Sequence, residues 1–79
     1  MTATGWDHDG DALVRDFDFK DFAAALWFVD RVGELAEAHG HHPDILLHDY
    51  NRVRLTLSTH SAGGVTEADH ALAGAIDDL

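Results

Sequence analysis

Apolar and polar positions alternate in Leu13-Val14-Arg15-Asp16-Phe17-Asp18-Phe19, the period-two pattern of a strand with one buried face. The preceding Asp9-Gly10 dipeptide favours the positive φ of a tight hairpin, so Trp6-Asp7-His8 is read as the partner strand. From Asp21 the period changes. Phe22, Ala25, Leu26, Val29, Val32 and Ala36 recur at three- and four-residue spacing while Asp30, Arg31, Glu34 and Glu37 fall on other sides, which predicts an amphipathic helix of about five turns. Gly40 marks its end, and Pro43 follows where the helical ladder cannot continue.

Ile45 to Tyr50 and Val53 to Thr59 are rich in β-formers, with Asn51-Arg52 read as the turn between them. The second run alternates: Val53, Leu55, Leu57 and Thr59 share one face, and Arg54, Thr56, Ser58 and His60 the other. Ala62-Gly63-Gly64 breaks the strand. Thr66-Glu67-Ala68-Asp69 then sets a hydroxyl cap three residues before an acid, opening a helix with Leu72, Ala75, Ile76 and Leu79 on its apolar side. The order ββαββα predicts an α+β domain over residues 1–79, a four-stranded antiparallel sheet with two helices packed on one face. No linker or low-complexity stretch divides it.

Composition narrows the partners. With 79 residues the core is thin, which favours self-association. The absence of cysteine excludes disulfides, thiolate metal sites and thiol catalysis, and suits a reducing, cytoplasmic setting. The first ten residues have neither a basic region nor an apolar run, so they do not resemble a leader, and Phe22 to Val29 is too short to span a bilayer. Fifteen acids against five bases give a formal charge of −10, which repels phosphate backbones and anionic lipid and argues against nucleic-acid and membrane partners.

Seven histidines stand out in so short a chain. His41 and His42 lie where the long helix has ended and the chain turns under Pro43, so adjacent imidazoles can face one pocket. His60, before a glycine turn, joins them only if strand pairing brings the two segments to the same end. A histidine-only metal site built from His39, His41, His42 and His48 is the rival, weakened because neighbouring residues do not readily aim at one ion from a regular strand. His8, His39, His48 and His70 are read as solvated. The acids Asp7, Asp9, Asp11, Asp16 and Asp18 lack the glycine and terminal glutamate of an EF-hand loop and are read as a solvated strand face.

Glu37-Ala38-His39-Gly40-His41-His42-Pro43-Asp44, then Tyr50-Asn51-Arg52-Val53, then Ser58-Thr59-His60 through Gly63-Gly64-Val65-Thr66-Glu67-Ala68-Asp69 resemble the pterin-4a-carbinolamine dehydratase family. Gly5-Trp6, Arg15 to Phe19 and Asp21-Phe22 extend the resemblance over essentially the whole chain. Two features depart from it: members usually carry a further helix ahead of the Gly-Trp pair, and Gly40 and Ala62 stand where some have larger polar or thiol side chains.

The resemblance implies loss of water from a 4a-hydroxytetrahydropterin to give a quinonoid dihydropterin, in support of tetrahydropterin recycling. No metal, flavin or nucleotide cofactor is needed. It implies His41 and His60 as proton-transfer residues at the C4a-hydroxyl, His42 as the group that orients the pterin, and Glu37 as a carboxylate fixing an imidazole tautomer. Ser58 and Thr59 would offer hydroxyl or backbone contacts to the pterin's polar edge, and Asp69 would hold the histidine loop. Trp6 would wall the site or, with equal weight, plug the end of the sheet, while for Asp69 a plain helix-start acid is the favoured reading. The resemblance also implies a homodimer or homotetramer formed by edge-to-edge sheets and packed helices. Some relatives act as dimerisation or assembly factors, so the alternative is a non-catalytic module using the same fold.

Overall fold

The computed structural model describes residues 5–79. The reading of the N-terminus as leader-free rests in part on Met1 to Thr4, which lie outside the described residues. The elements are β1 (Asp7–Asp9), β2 (Ala12–Asp18), α1 (Phe22–His39), β3 (Asp44–His48), β4 (Arg52–Leu57), a short 3-10 turn (His60–Ala62) and α2 (Glu67–Asp77). The strands form one antiparallel sheet in the order β1-β2-β4-β3, and the expected α+β architecture of order ββαββα is present.

Paired residues share a face, so the register assigns the layers. Leu13 opposes Leu57, Phe17 opposes Val53 and Leu47 also opposes Val53. Leu13, Val53, Leu55 and Leu57 meet Ala25, Phe28 and Val32 of α1 and Leu72, Ala73 and Ile76 of α2 in a single buried cluster. On the other face Asp16 opposes Arg54, bonded at 2.8 and 3.1 Å, and Asp18 opposes Arg52 at 3.4 Å. The alternating acids of β2 thus form the solvated face expected of them.

Asp21 caps α1 by accepting from the Ala24 N–H at 2.8 Å. The helix buries Ala25, Phe28, Val32 and Ala36, whereas Phe22 and Leu26, expected on the core side, are exposed. The apolar arc is wider than the layer it covers. Its outer edge lies beside the β3–β4 loop, where the Phe22 ring stacks on Tyr50 at 6.5 Å. On α2 the buried stripe is Asp69, Leu72, Ala73 and Ile76, in place of the expected Leu72, Ala75, Ile76 and Leu79. Leu79 lies beyond the helix and is exposed.

The β3–β4 turn occupies residues 49–51, not Asn51-Arg52: its first strand ends two residues before the expected Tyr50, and Arg52 already pairs with His48 in β4. β3 ends at His48, and Asp49 and Tyr50 take positive φ values of 50° and 73°. Asn51 anchors the turn instead of forming its apex. Its N–H donates to the Asp49 carbonyl at 2.8 Å, its side-chain amide donates to the Phe19 carbonyl at 2.7 Å, and its own carbonyl accepts from the Phe19 N–H at 2.9 Å. β4 likewise stops at Leu57. Thr59 continues it only as an isolated bridge to Gly64.

Candidate functional site

The C-terminus of α1 aims the first histidine. Gly40 adopts φ 61° and ψ 29°, the left-handed conformation that glycine takes without a Cβ clash. That reversal returns the His41 N–H to the Ala36 carbonyl at 3.1 Å, while the Gly40 N–H reaches Glu37 at 3.3 Å, satisfying carbonyls that the helix end leaves open. His41 is pinned to the helix end by its own backbone.

Its side chain reaches α2. His41 Nε2 lies 2.5 Å from Asp69 Oδ1, with the Asp69 side chain 0% and the His41 side chain 16% exposed. Asp69 Oδ2 accepts from the Thr59 hydroxyl at 2.8 Å and from the Thr66 N–H at 2.9 Å, and the Thr59 and Thr66 hydroxyls are 2.9 Å apart. Burial alone would push the Asp69 carboxyl up. The hydrogen bonds from His41, the Thr66 N–H and the Thr59 hydroxyl outweigh it and hold Asp69 below the ordinary carboxylate range. An ionised carboxylate only accepts, so His41 Nε2 carries the hydrogen and Nδ1 is the nitrogen left for other chemistry.

The loop bearing His60 is closed at its base. Thr59 N–H donates to the Gly64 carbonyl at 2.9 Å and Gly64 N–H returns to Thr59 at 3.3 Å. Within it the Ala62 N–H bonds Thr59 at 3.0 Å, and Gly63, at φ 72°, bonds His60 at 3.1 Å. His60 follows Thr59 directly and is exposed. Because Thr59 and His41 share Asp69, the His60 loop and the His41-His42 turn stand at the same end of the sheet.

His42 points elsewhere. Its Nε2 lies 2.5 Å from Glu37 Oε2, with side chains 62% and 79% exposed. Glu37 does reach an imidazole, that of His42, while His41 takes its partner from Asp69. Ser58 sits half-buried just past β4. Trp6 is not brought to this cluster: its Nε1 donates to Asp77 Oδ1 at 2.9 Å, where Arg15 also binds at 2.6 Å. Asp77 ends α2, about 12 Å along the axis from Asp69 at 1.5 Å per residue. That position agrees with the sheet-end plug.

The remaining histidines are dispersed. His8 and His39 are exposed, and His48 Nδ1 bonds the adjacent Asp49 at 2.8 Å. His70, expected to be solvated, is half-buried, and its Nδ1 is shielded with no hydrogen-bond partner among the described residues. Among the described residues no three His, Asp or Glu side chains converge as metal ligands, and no helix is long and apolar enough to cross a membrane.

One participant was missed in the sequence. Thr66 is visible there as a helix cap, but its contacts to Thr59 and Asp69 depend on how β4 and α2 pack. The spacing Thr66-x-x-Asp69 was the available signal, since a side chain at that position folds back on the cap N–H.

Comparisons with known proteins identify the family and the fold. A protein of Thermomicrobium roseum, provisionally named a pterin-4-alpha-carbinolamine dehydratase, is 57% identical over 75 residues, covering 95% of this chain and 80% of that one. A crystal structure from Brucella melitensis, described as a transcriptional coactivator/pterin dehydratase, superposes with a TM-score of 0.89 at 40% identity, covering 96% of this chain and 82% of that one. A pterin dehydratase-like protein described as a RuBisCO assembly factor in the alpha-carboxysome superposes with a TM-score of 0.74 at 25% identity, covering 99% of this chain and 88% of that one. The family model for pterin 4 alpha carbinolamine dehydratase matches residues 1–79, and the chain belongs to that family.

Proposed function

We propose that this chain eliminates water from a 4a-hydroxytetrahydropterin, giving a quinonoid dihydropterin in tetrahydropterin recycling. The observation that carries the reading is the His41 imidazole, whose Nε2 is tied to a fully buried, ionised Asp69. A surface histidine needs no such partner, whereas a group that exchanges protons in a fixed direction does.

Hydroxide leaves C4a poorly, so its oxygen takes a proton as the carbon–oxygen bond breaks. The N5 lone pair forms the new C4a=N5 bond, and N5 then loses its hydrogen. One acid and one base near neutrality suffice, and each well-placed group contributes ~10²–10⁴ in rate. We assign these roles to His41, through Nδ1, and to His60. His42, steadied by Glu37, orients the ring. Ser58 supplies a polar contact at the pterin edge. The step uses no cofactor or metal.

The proposed setting is the cytoplasm, and the proposed assembly is a homodimer or homotetramer. The β3 edge supports self-association: among the described residues its outer side is unpaired, and Ile45 and Leu46 are exposed on that strand.

The alternative of a non-catalytic assembly module is favoured by one finding, the likeness to the RuBisCO assembly factor. Incubation with enzymatically generated 4a-hydroxytetrahydropterin, followed by ultraviolet absorbance, separates the two. Dehydration faster than in buffer supports the enzyme. No acceleration by demonstrably folded protein supports the module.

A further inference from the structure

Thr59 Oγ1 has one proton and two polar neighbours, Asp69 Oδ2 at 2.8 Å and Thr66 Oγ1 at 2.9 Å. An ionised carboxylate cannot donate, so the Thr59 proton goes to Asp69 and the Thr66 hydroxyl donates to the Thr59 oxygen. The Thr66 N–H reaches the same Oδ2 at 2.9 Å. Oδ2 is therefore held by donors from two chain segments, and Oδ1 is left for His41. A carboxylate torsion is otherwise broad, so these contacts, more than the Asp69 rotamer alone, fix where Oδ1 points.

We infer that Thr59 and Thr66 are positioning residues for His41. They lock the Asp69 carboxylate so that His41 keeps its hydrogen on Nε2 and leaves Nδ1 without one. On this assignment the Thr59 hydroxyl is occupied within the protein and does not bind the pterin edge. Thr66 gains a part beyond helix capping. What Nδ1 then does rests on the dehydratase reading, but the tautomer and its control do not.

The test combines nitrogen-15 NMR of His41 with steady-state kinetics on Thr59→Val, Thr59→Ser, Thr66→Val and the unaltered protein. The unaltered protein should show neutral His41 protonated at Nε2. Thr59→Val should give a mixture of tautomers and lower kcat by about tenfold, with KM changed by less than about twofold. Thr59→Ser, which keeps the donor, should restore both. Thr66→Val should shift the His41 signals in the same direction by a smaller amount, and it carries the test should Thr59→Val fail to fold. An unchanged His41 tautomer in Thr59→Val, or in Thr66→Val where that variant replaces it, would overturn the inference. A raised KM with unchanged kcat in Thr59→Val would also overturn it, by showing direct contact with the pterin. If the unaltered protein has no dehydratase activity, the functional reading fails, and the NMR result still decides the positioning role.

Discussion

His41 Nε2 and Asp69 Oδ1 lie 2.5 Å apart although 28 positions separate them in the chain. The contact joins the end of α1 to the first turn of α2 and runs beside the loop that carries His60. It makes one buried carboxylate both a helix-start residue and the partner of an imidazole.

That double role predicts a pH-dependent stability. The folded-state pKa of Asp69 is lowered: burial would raise it, but the bonds from His41, Thr66 and Thr59 prevail. Its contribution is complete above the unfolded value near 3.8 and is lost as pH falls through the lower folded value. Asp69→Asn should therefore cost about 1–3 kcal/mol near neutrality, and the difference from the unaltered protein should shrink below about pH 4. Urea unfolding at a series of pH values measures this, and a constant difference down to strongly acid pH would refute it.

The other carboxylate–imidazole pair should behave differently. Glu37 and His42 are mostly solvated, so Glu37→Gln should alter stability by no more than about 0.5 kcal/mol, as for other exposed pairs. Thermal unfolding of Glu37→Gln and Asp69→Asn side by side checks the contrast. Equal losses would mean that burial does not separate the two carboxylates.

Periodicity made the fold legible: β2 and β4 alternate, α1 repeats at helical spacing, and Gly40 and Thr66 mark helix ends at the right residues. It failed where a third element decides. Phe22 and Leu26 fit the helical stripe, yet both are exposed, and Phe22 stacks on Tyr50 of the β3–β4 loop in place of entering the core. Arg52 looked like a turn residue, yet it is the first residue of β4 and pairs with His48 and Asp18, because cross-strand register is invisible to local pattern. The candidate site was legible as a motif, with His41, His42 and His60 singled out as its proposed residues. The pairing of His41 with Asp69 and the contacts of Thr66 were not, because they arise from packing between distant segments.

The exposed β3 edge predicts association. Light scattering at dilute concentration should give a dimer or larger, and Leu46→Lys, which puts charge on a residue 53% exposed at that edge, should shift the protein toward monomer. A folded monomer before substitution would contradict the proposed assembly.

Turnover of 4a-hydroxytetrahydropterin by single histidine variants tests the central claim most directly. His41→Ala and His60→Ala should each lower kcat by about tenfold or more, and His48→Ala and His70→Ala should leave it nearly unchanged. Equal, small effects from all four would contradict the assignment of proton transfer to the two segments that meet around Asp69.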